Sequence, residues 1–315
     1  MNYLKDKVIR IIYKTQKPIS IEVKKRHKKM LIAAFPNVSE LGKKVAKALK
    51  AEYTTIQVGD FPDSEFHVKL KTNPEHKKVV IINSMTQDPD EKIIETILAG
   101  GIARDYGAVR VTLVATYLPY MRQDTHFEKY DSFSSKHVIR LFGEFDKIIA
   151  IDPHLHRIKN LKEISSRAIS ISVDDIVASY IKKKFKNDFE IIGPDSESRQ
   201  WSAVIAKMLK KKVTIMNKHR LGDKNIKQDK VILDKGVNYL IIDDIISTGK
   251  TIAGALAMAK KQGAKKLYCI GIHGVLAGNA SKLITKHAKL ITTNTIPNKF
   301  ADIDISQAIV DALKR

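Results

Sequence analysis

The sequence predicts an α/β protein of two successive units, each a mostly parallel sheet flanked by helices. Three observations carry this. From Met30 onward, short apolar runs alternate with amphipathic segments, the pattern of strand–helix–strand crossovers. The chain has 315 residues, long for one hydrophobic core and comfortable for two. A weak internal echo, AKALKAEYTTI at 46–56 and AKMLKKKVTIM at 206–216, places a similar helix-to-strand junction in both halves.

In the first half, apolar runs predict strands at 30–35, 53–58, 66–70, 79–83, 109–117 and 147–152. Helices are expected over 39–50, with Ser39 as N-cap, over 90–106, and over 134–142. The second of these follows Pro89 and carries acids in its first turn, which suits a helix start. In the second half, helices at 174–184, 198–210, 251–262 and 279–287 alternate with strands at 190–193, 213–217, 237–243, 267–272 and 290–295. The polar stretch 218–236 breaks the rhythm and reads as a loop or hairpin. The expected division is a basic N-terminal extension (1–29), an N-terminal domain (30–168) and a C-terminal domain (169–315). The final helix, 305–313, is free to pack on either domain.

Composition narrows the function. Hydrophobic residues make up 43% and charged residues 29%, enough to pack cores and unlike a disordered chain. No apolar run reaches the length of a membrane span. The N-terminal apolar patch, 8–13, is interrupted and flanked by charge, unlike a secretory segment. The single cysteine, Cys269, excludes an intramolecular disulfide and a cysteine-cluster zinc site. It lies in the apolar stretch LYCIGI and is expected in a core. These features point to a cytoplasmic protein. The net charge of +22 comes from 56 basic and 34 acidic residues, and residues 1–29 hold ten basic and two acidic ones. The lysines are dispersed, with neither zinc-finger spacing nor interleaved aromatics and arginines. No nucleic-acid partner and no membrane is therefore expected, and the basic surface suits anionic metabolites.

The strongest local signal is VNYLIIDDIISTGKT at 237–251. A buried strand ends in Asp243 and Asp244, and a short turn through Ser247, Thr248, Gly249, Lys250 and Thr251 opens a helix. Open α/β sheets bind ligands at the carboxyl ends of their strands, and free N–H groups at a helix start favour phosphate. Two carboxylates there suit the cis-diol of a ribose, since each accepts a hydroxyl proton. A helix cap alone needs only one Asp. The P-loop alternative fails because its first glycine would fall on Asp244.

This strand–Asp–Asp–x–x–x–Thr–Gly–x–Thr segment resembles the phosphoribosyl-binding signature of the type I phosphoribosyltransferase fold. FPDSE at 61–65, YMRQD at 120–124, DPH at 152–154, GPD at 193–195, KHR at 218–220 and HGVLAGNA at 273–280 follow in order. Together they resemble the ribose-phosphate pyrophosphokinase (PRPP synthetase) family over most of the chain. The resemblance implies two related phosphoribosyltransferase-like domains, an N-terminal one for ATP and a C-terminal one for ribose 5-phosphate. It implies transfer of the ATP diphosphate to the C1 hydroxyl of ribose 5-phosphate, with Mg2+ as cofactor and a homo-oligomer, dimer or hexamer, as the working form.

Site roles implied by the resemblance follow residue by residue. Phe61, Asp63, Glu65, Arg122, Gln123, Asp124 and His154 would bind ATP, the first three often across a subunit contact. His154 and Asp195 would hold the metal, although magnesium prefers oxygen ligands. Lys218 and Arg220 would be the catalytic cations of a mobile loop. Asp243, Asp244, Ser247, Thr248, Gly249, Lys250 and Thr251 would bind ribose 5-phosphate. His126 and His156 have no counterpart and read as ordinary histidines. The chain departs from the family pattern at Ser247, usually an acid, at Lys250, usually a small residue, and in SESRQW at 196–201. Residues 1–29 have no clear counterpart. A PRPP-consuming phosphoribosyltransferase would keep the Asp-Asp-Thr-Gly loop but needs neither FPDSE, RQD nor a second similar domain. A non-catalytic regulatory subunit would not need Lys218, Arg220, His154 and Asp195.

Overall fold

The computed structural model describes residues 29–185, 188–216 and 231–315, together with the backbone of 218–221 and 225–228. The basic N-terminal stretch expected at 1–29 lies outside the described residues up to position 28.

The first unit is built on seven strands: β1 (Met30–Ala34), β2 (Glu52–Asp60), β3 (Phe66–Leu70), β4 (Lys78–Ser84), β5 (Arg110–Tyr117), β6 (Lys147–Ile151) and β7 (Ala168–Ile171). Their order across the sheet is β3-β2-β1-β4-β5-β6-β7. All pairs are parallel except β2–β3, an antiparallel hairpin. Helices α1 (Ser39–Leu49), α2 (Pro89–Asp105) and α3 (Ser134–Leu141) connect them. Pro89 opens α2 with Asp90 and Glu91 in its first turn, where the helix dipole favours acids. Ser39 does not cap α1. It is the first helical residue, and its hydroxyl lies 2.9 Å from that of Tyr53 on β2.

The second unit has the parallel order β15-β14-β13-β12-β8-β9, from β8 (Glu190–Gly193), β9 (Val213–Ile215), β12 (Tyr239–Ile246), β13 (Leu267–Gly274), β14 (Lys289–Thr293) and β15 (Ala301–Ile303). Helices α4 (Asp174–Lys184), α5 (Arg199–Leu209), α6 (Lys250–Lys261), α7 (Ala280–Thr285) and α8 (Ser306–Lys314) complete it. Within the polar stretch, β10 (Lys218–Leu221) and β11 (Asn225–Gln228) pair as an antiparallel hairpin. Strand β12 is buried along its whole length, as expected of a strand covered on both faces. Leu240 and Ile242 join the core shared with the first unit, whereas Tyr239 and Ile241 pack with Cys269 on the opposite face.

Strand β7 belongs to the first sheet, pairing with β6 through Ala168–Ile171, so this sheet continues past the division expected at 168/169. Helix α8 packs back on the first unit: Lys147 Nζ donates to the Ala312 carbonyl at 3.4 Å, and Lys44 of α1 pairs with Asp304 at 2.6 Å. A buried polar seam also joins the sheets. Thr116 Oγ1 donates to the Thr295 carbonyl at 2.7 Å, and His273 Nε2 lies 3.0 Å from the Asp152 carbonyl. Among the described residues, no helix is long and apolar enough to cross a membrane.

Candidate active site

The carboxyl ends of β5, β6, β8 and β12 open onto one cleft of about 300 Å³. Its walls bring together Arg122, His154, Asp195, Asp243, Asp244 and the turn from Ser247 to Thr251. A neighbouring cavity of about 240 Å³ shares Arg122, His154, Ile245 and Ser247 with it and adds Gln123. The chain reaches this place from both sheets, so the cleft lies between the two units.

The sequence led us to expect β12 to end at Asp243 and Asp244, and it does not. The strand continues to Ile246 because β13 is equally long and still pairs there, with Ile245 opposite His273 and Ile246 opposite Gly274. The turn that follows is shaped by Gly249, at φ 72°, a left-handed conformation that favours glycine. A Cβ at Gly249 would also stand 3.1 Å from the Ala280 side chain. The turn is tied to the segment after β13 by Leu276 N–H to the Ile246 carbonyl, 2.9 Å, and Ala277 N–H to the Ser247 carbonyl, 3.1 Å. Helix α6 then begins at Lys250, whose side chain is exposed. Both acids of β12 are buried. Burial, reinforced by the charges of Asp244 and Asp195, pushes the Asp243 carboxyl well above its ordinary range.

The turn after β6 is clamped from several sides. Asp152 has φ 37°, uncommon for a residue with a Cβ. Its Oδ2 accepts the Val173 N–H at 2.7 Å. Burial, with the neighbouring Asp174 charge, pushes the Asp152 carboxyl up to about 8. Farther along, Asp124 accepts from the N–H groups of His156 at 2.8 Å and Arg157 at 2.6 Å, and from the Arg157 guanidinium at 3.1 Å. Burial alone would raise the Asp124 carboxyl, but these donors outweigh it and hold it below the ordinary range. Asp124 is thereby buried in the frame that carries the loop 153–158.

His154 occupies the centre. Its Nδ1 meets the Asp244 carboxylate in a short hydrogen bond, and its Nε2 lies 2.7 Å from Nε2 of His156. Trp201, in the first turn of α5, stacks on the ring from the other unit. On the opposing strand end, Gly193 has no room for a Cβ, which would fall 2.6 Å from Ser202 Oγ. Asp195 follows, with Oδ1 accepting the Ser198 N–H at 2.9 Å.

Not every expected residue reaches the cleft. Phe61, Asp63 and Glu65 form the exposed tip between β2 and β3, and Phe61 is 50% exposed. The tip closes through Phe61 N–H to the Glu65 carbonyl, 2.8 Å. Lys218 and Arg220 lie on β10, and their side chains are outside the described residues. Conversely, the cleft includes His156, Arg157, Phe127 and Glu197, which sequence reasoning set aside or did not single out. The cluster HLHR at 154–157 held the signal: two histidines and an arginine within four positions beside a strand end.

Magnesium needs hard oxygen donors. Asp195, Asp243 and Asp244 supply carboxylate oxygens around one cleft, with Glu197 at its edge, so the residues present fit that ion.

Residues 30–145 match the family described as the N-terminal domain of ribose phosphate pyrophosphokinase, and residues 160–306 match the phosphoribosyl transferase domain. A ribose-phosphate pyrophosphokinase of Methanopyrus kandleri is 29% identical, covering 90% of this chain and 99% of the relative. The one of Pyrococcus furiosus is 31% identical, covering 84% and 94%. The crystal structure of phosphoribosylpyrophosphate synthetase from Mycobacterium smegmatis superposes with a TM-score of 0.81 at 22% identity, over 91% of this chain and 98% of that one. That likeness shows a common fold. Sequence identity of this extent across almost the whole of its relatives places the chain in the ribose-phosphate pyrophosphokinase family.

Proposed function

We propose that this protein transfers the diphosphate of ATP to the C1 hydroxyl of ribose 5-phosphate, giving PRPP and AMP. One observation carries the reading: the acid pair and phosphate-type turn of 243–251 share a cleft with Arg122, His154 and Asp195. This arrangement supports a pentose phosphate held by the second unit facing a nucleotide held by the first. The N–H groups at the start of α6, with Thr248, Lys250 and Thr251, receive the 5-phosphate. Asp243 and Asp244 hold the ribose hydroxyls. Asp244 also keeps the His154 ring in one orientation through Nδ1.

Arg122 and Gln123 take the triphosphate, Arg122 through its fork of donors. Asp124 contributes by holding the loop 153–158 rather than by touching nucleotide, since its oxygens are bound to backbone N–H groups and Arg157. Asp195, with His154, would hold a magnesium ion, which when bound would supply positive charge to neutralise the phosphates. The attacking hydroxyl and the β-phosphorus are brought into line mainly by positioning. Lys218 and Arg220 supply positive charge to the transferring group and the departing AMP. The tip Phe61–Glu65 serves the nucleotide site of a neighbouring copy in a homo-oligomer, which accounts for its exposure away from the cleft. The ATP unit runs through β7, and the ribose-5-phosphate unit begins with α4. The single, buried cysteine accords with work in the cytoplasm.

Incubation of the purified chain with ATP, Mg2+ and ribose 5-phosphate tests this reading. AMP and PRPP should form together in equal amounts. ADP with a phosphorylated sugar would mean single phosphoryl transfer and defeat it.

A further inference from the structure

Tyr120 opens the turn that carries Arg122, and its backbone stands at φ 64°. A bulky residue rarely holds this left-handed conformation, and where it does the surroundings must offset the strain. A glycine or asparagine would make the same bend at less cost, so the Tyr120 side chain has work of its own. Its phenol hydroxyl donates a short hydrogen bond to Oδ1 of Asp90, thirty positions away in the first turn of α2. We propose that Tyr120 is a positioning residue: through its bond to Asp90 it fixes the turn 120–123 and so aims the Arg122 guanidinium at the nucleotide. The inference rests on the ATP role proposed above for Arg122.

The rest of the segment is held on its C-terminal side. Met121 is buried. Gln123 N–H donates to the Tyr120 carbonyl at 3.4 Å, and the Gln123 carbonyl accepts the Ser135 N–H at 3.2 Å. The Gln123 side-chain oxygen accepts from the Ser134 hydroxyl at the start of α3. Asp124 is bound into the loop 153–158. Arg122 is the exception. Among the described residues its guanidinium has no hydrogen bond or ion pair, and it lines both cavities. Its direction therefore follows from the backbone on either side, and Tyr120 is the anchor on the N-terminal side.

Asp90 suits the other end of the bond. It lies where the helix dipole favours a carboxylate. The chain approaches α2 through two further left-handed residues, Gln87 at φ 53° and Asp88 at φ 49°. The Met85 N–H, 3.1 Å from the Tyr117 carbonyl, ties this approach to the end of β5. Strained backbone thus stands on both sides of one side-chain bond. The bond to Asp90 also pushes the Tyr120 phenol up in pKa, so the hydroxyl keeps its proton and remains a donor. Tyr120 itself lines the cavity of about 240 Å³ beside Arg122 and Gln123, so the residue that holds the turn is also part of the wall the turn shapes.

Tyr120 and Asp90 are both exposed, so either can be altered without opening the core. Calorimetric titration of the full chain with ATP and Mg2+, without ribose 5-phosphate, reads the nucleotide site in the absence of turnover. Tyr120→Phe and Asp90→Ala should each weaken ATP about tenfold, the scale of one hydrogen bond to a charged group. The two changes combined should weaken it no more than the worse single one, because both remove the same bond. Asp90→Asn keeps an oxygen acceptor and should stay within about threefold of the parent. In turnover, the KM for ATP should rise with the loss of affinity while the KM for ribose 5-phosphate moves less than about twofold. A general loosening of the fold would move both. ATP affinity and KM unchanged in both single variants would overturn the role, as would losses that multiply in the double variant or fall equally on the two substrates. In each of those outcomes the parent chain still makes PRPP, and the proposed reaction stands. A parent chain that forms neither AMP nor PRPP removes the proposed reaction, and this role falls with it.

Discussion

The indole of Trp201 lies against the imidazole of His154, ring centroids 5.6 Å apart and planes 24° from parallel. One residue comes from the first turn of α5 in the second unit, the other from the loop after β6 in the first. Trp201 is buried, so the stack both fills space and fixes the ring that faces Asp244. Removing a buried aromatic side chain costs about 3–5 kcal/mol. Trp201→Ala should lose stability of this order and lower kcat, whereas Trp201→Phe should recover most of both by restoring an aromatic face. Urea unfolding and steady-state kinetics measure the two effects. A loss below about 1 kcal/mol in the alanine variant would show that the stack contributes little.

Gly249 combines a positive φ with a crowded neighbour in Ala280. Gly249→Ala should cost about 1–3 kcal/mol of local strain, which the turn relieves by shifting the backbone donors at the start of α6. The KM for ribose 5-phosphate should rise more than tenfold while the KM for ATP stays within about twofold. Equal rises in both would place the turn's role elsewhere.

Lys250 is exposed at the first position of α6 and borders the cleft. One charge pair at ~4 Å is worth ~1 kcal/mol in water and ~4 kcal/mol where screening is partial. Exposure favours the lower end. Lys250→Ala should raise the KM for ribose 5-phosphate roughly tenfold at low ionic strength, the ratio for ~1.4 kcal/mol, and less at high salt. Kinetics at two salt concentrations decide it. An unchanged KM at low salt would show that the ammonium does not meet the phosphate.

Lys218 is assigned work confined to the transition state. Its loss should then appear in kcat rather than KM. Lys218→Ala should lower kcat on the order of 10²-fold or more, as does removal of one preorganised electrostatic group. Activity within a few-fold of the parent protein would make it a surface lysine.

Asp304 ties α8 to the first unit. Burial alone would raise its carboxyl, but the Lys44 ammonium, the Ser306 N–H and the Asn294 amide hold it below the ordinary carboxylate range. A carboxyl whose folded pKa is depressed adds stability above its unfolded pKa of about 3.9, and that stability fades as pH falls through the folded value. Asp304→Asn should therefore cost about 1 kcal/mol at pH 7, the size of one helix-cap bond, and the difference from the parent should vanish in strong acid. Urea midpoints at pH 7 and below pH 4 measure this. A difference independent of pH would assign the effect to packing.

The alternation of strands and helices, the parallel sheets and the turn 247–251 were legible from residue order, because periodicity and turn chemistry are local. The short edge strands Ala168–Ile171 and Ala301–Ile303 were not, since three or four residues carry no periodicity and exist only by pairing with a neighbour. The family resemblance carried by the ordered motifs pointed to Asp243, Asp244, Asp195, His154 and Arg122 as site residues, and the fold brings them to one cleft. It could not reveal that Asp124 is occupied by the backbone of 156–158, or that Phe61 stands apart at a hairpin tip. His156 was read as ordinary, and Glu197 and Trp201 stood out only within the departing stretch 196–201, because their meeting with the 154–156 loop depends on how α5 seats against it. That contact joins residues more than forty positions apart across two units, and only the packing of one sheet's helix on the other's loop decides it.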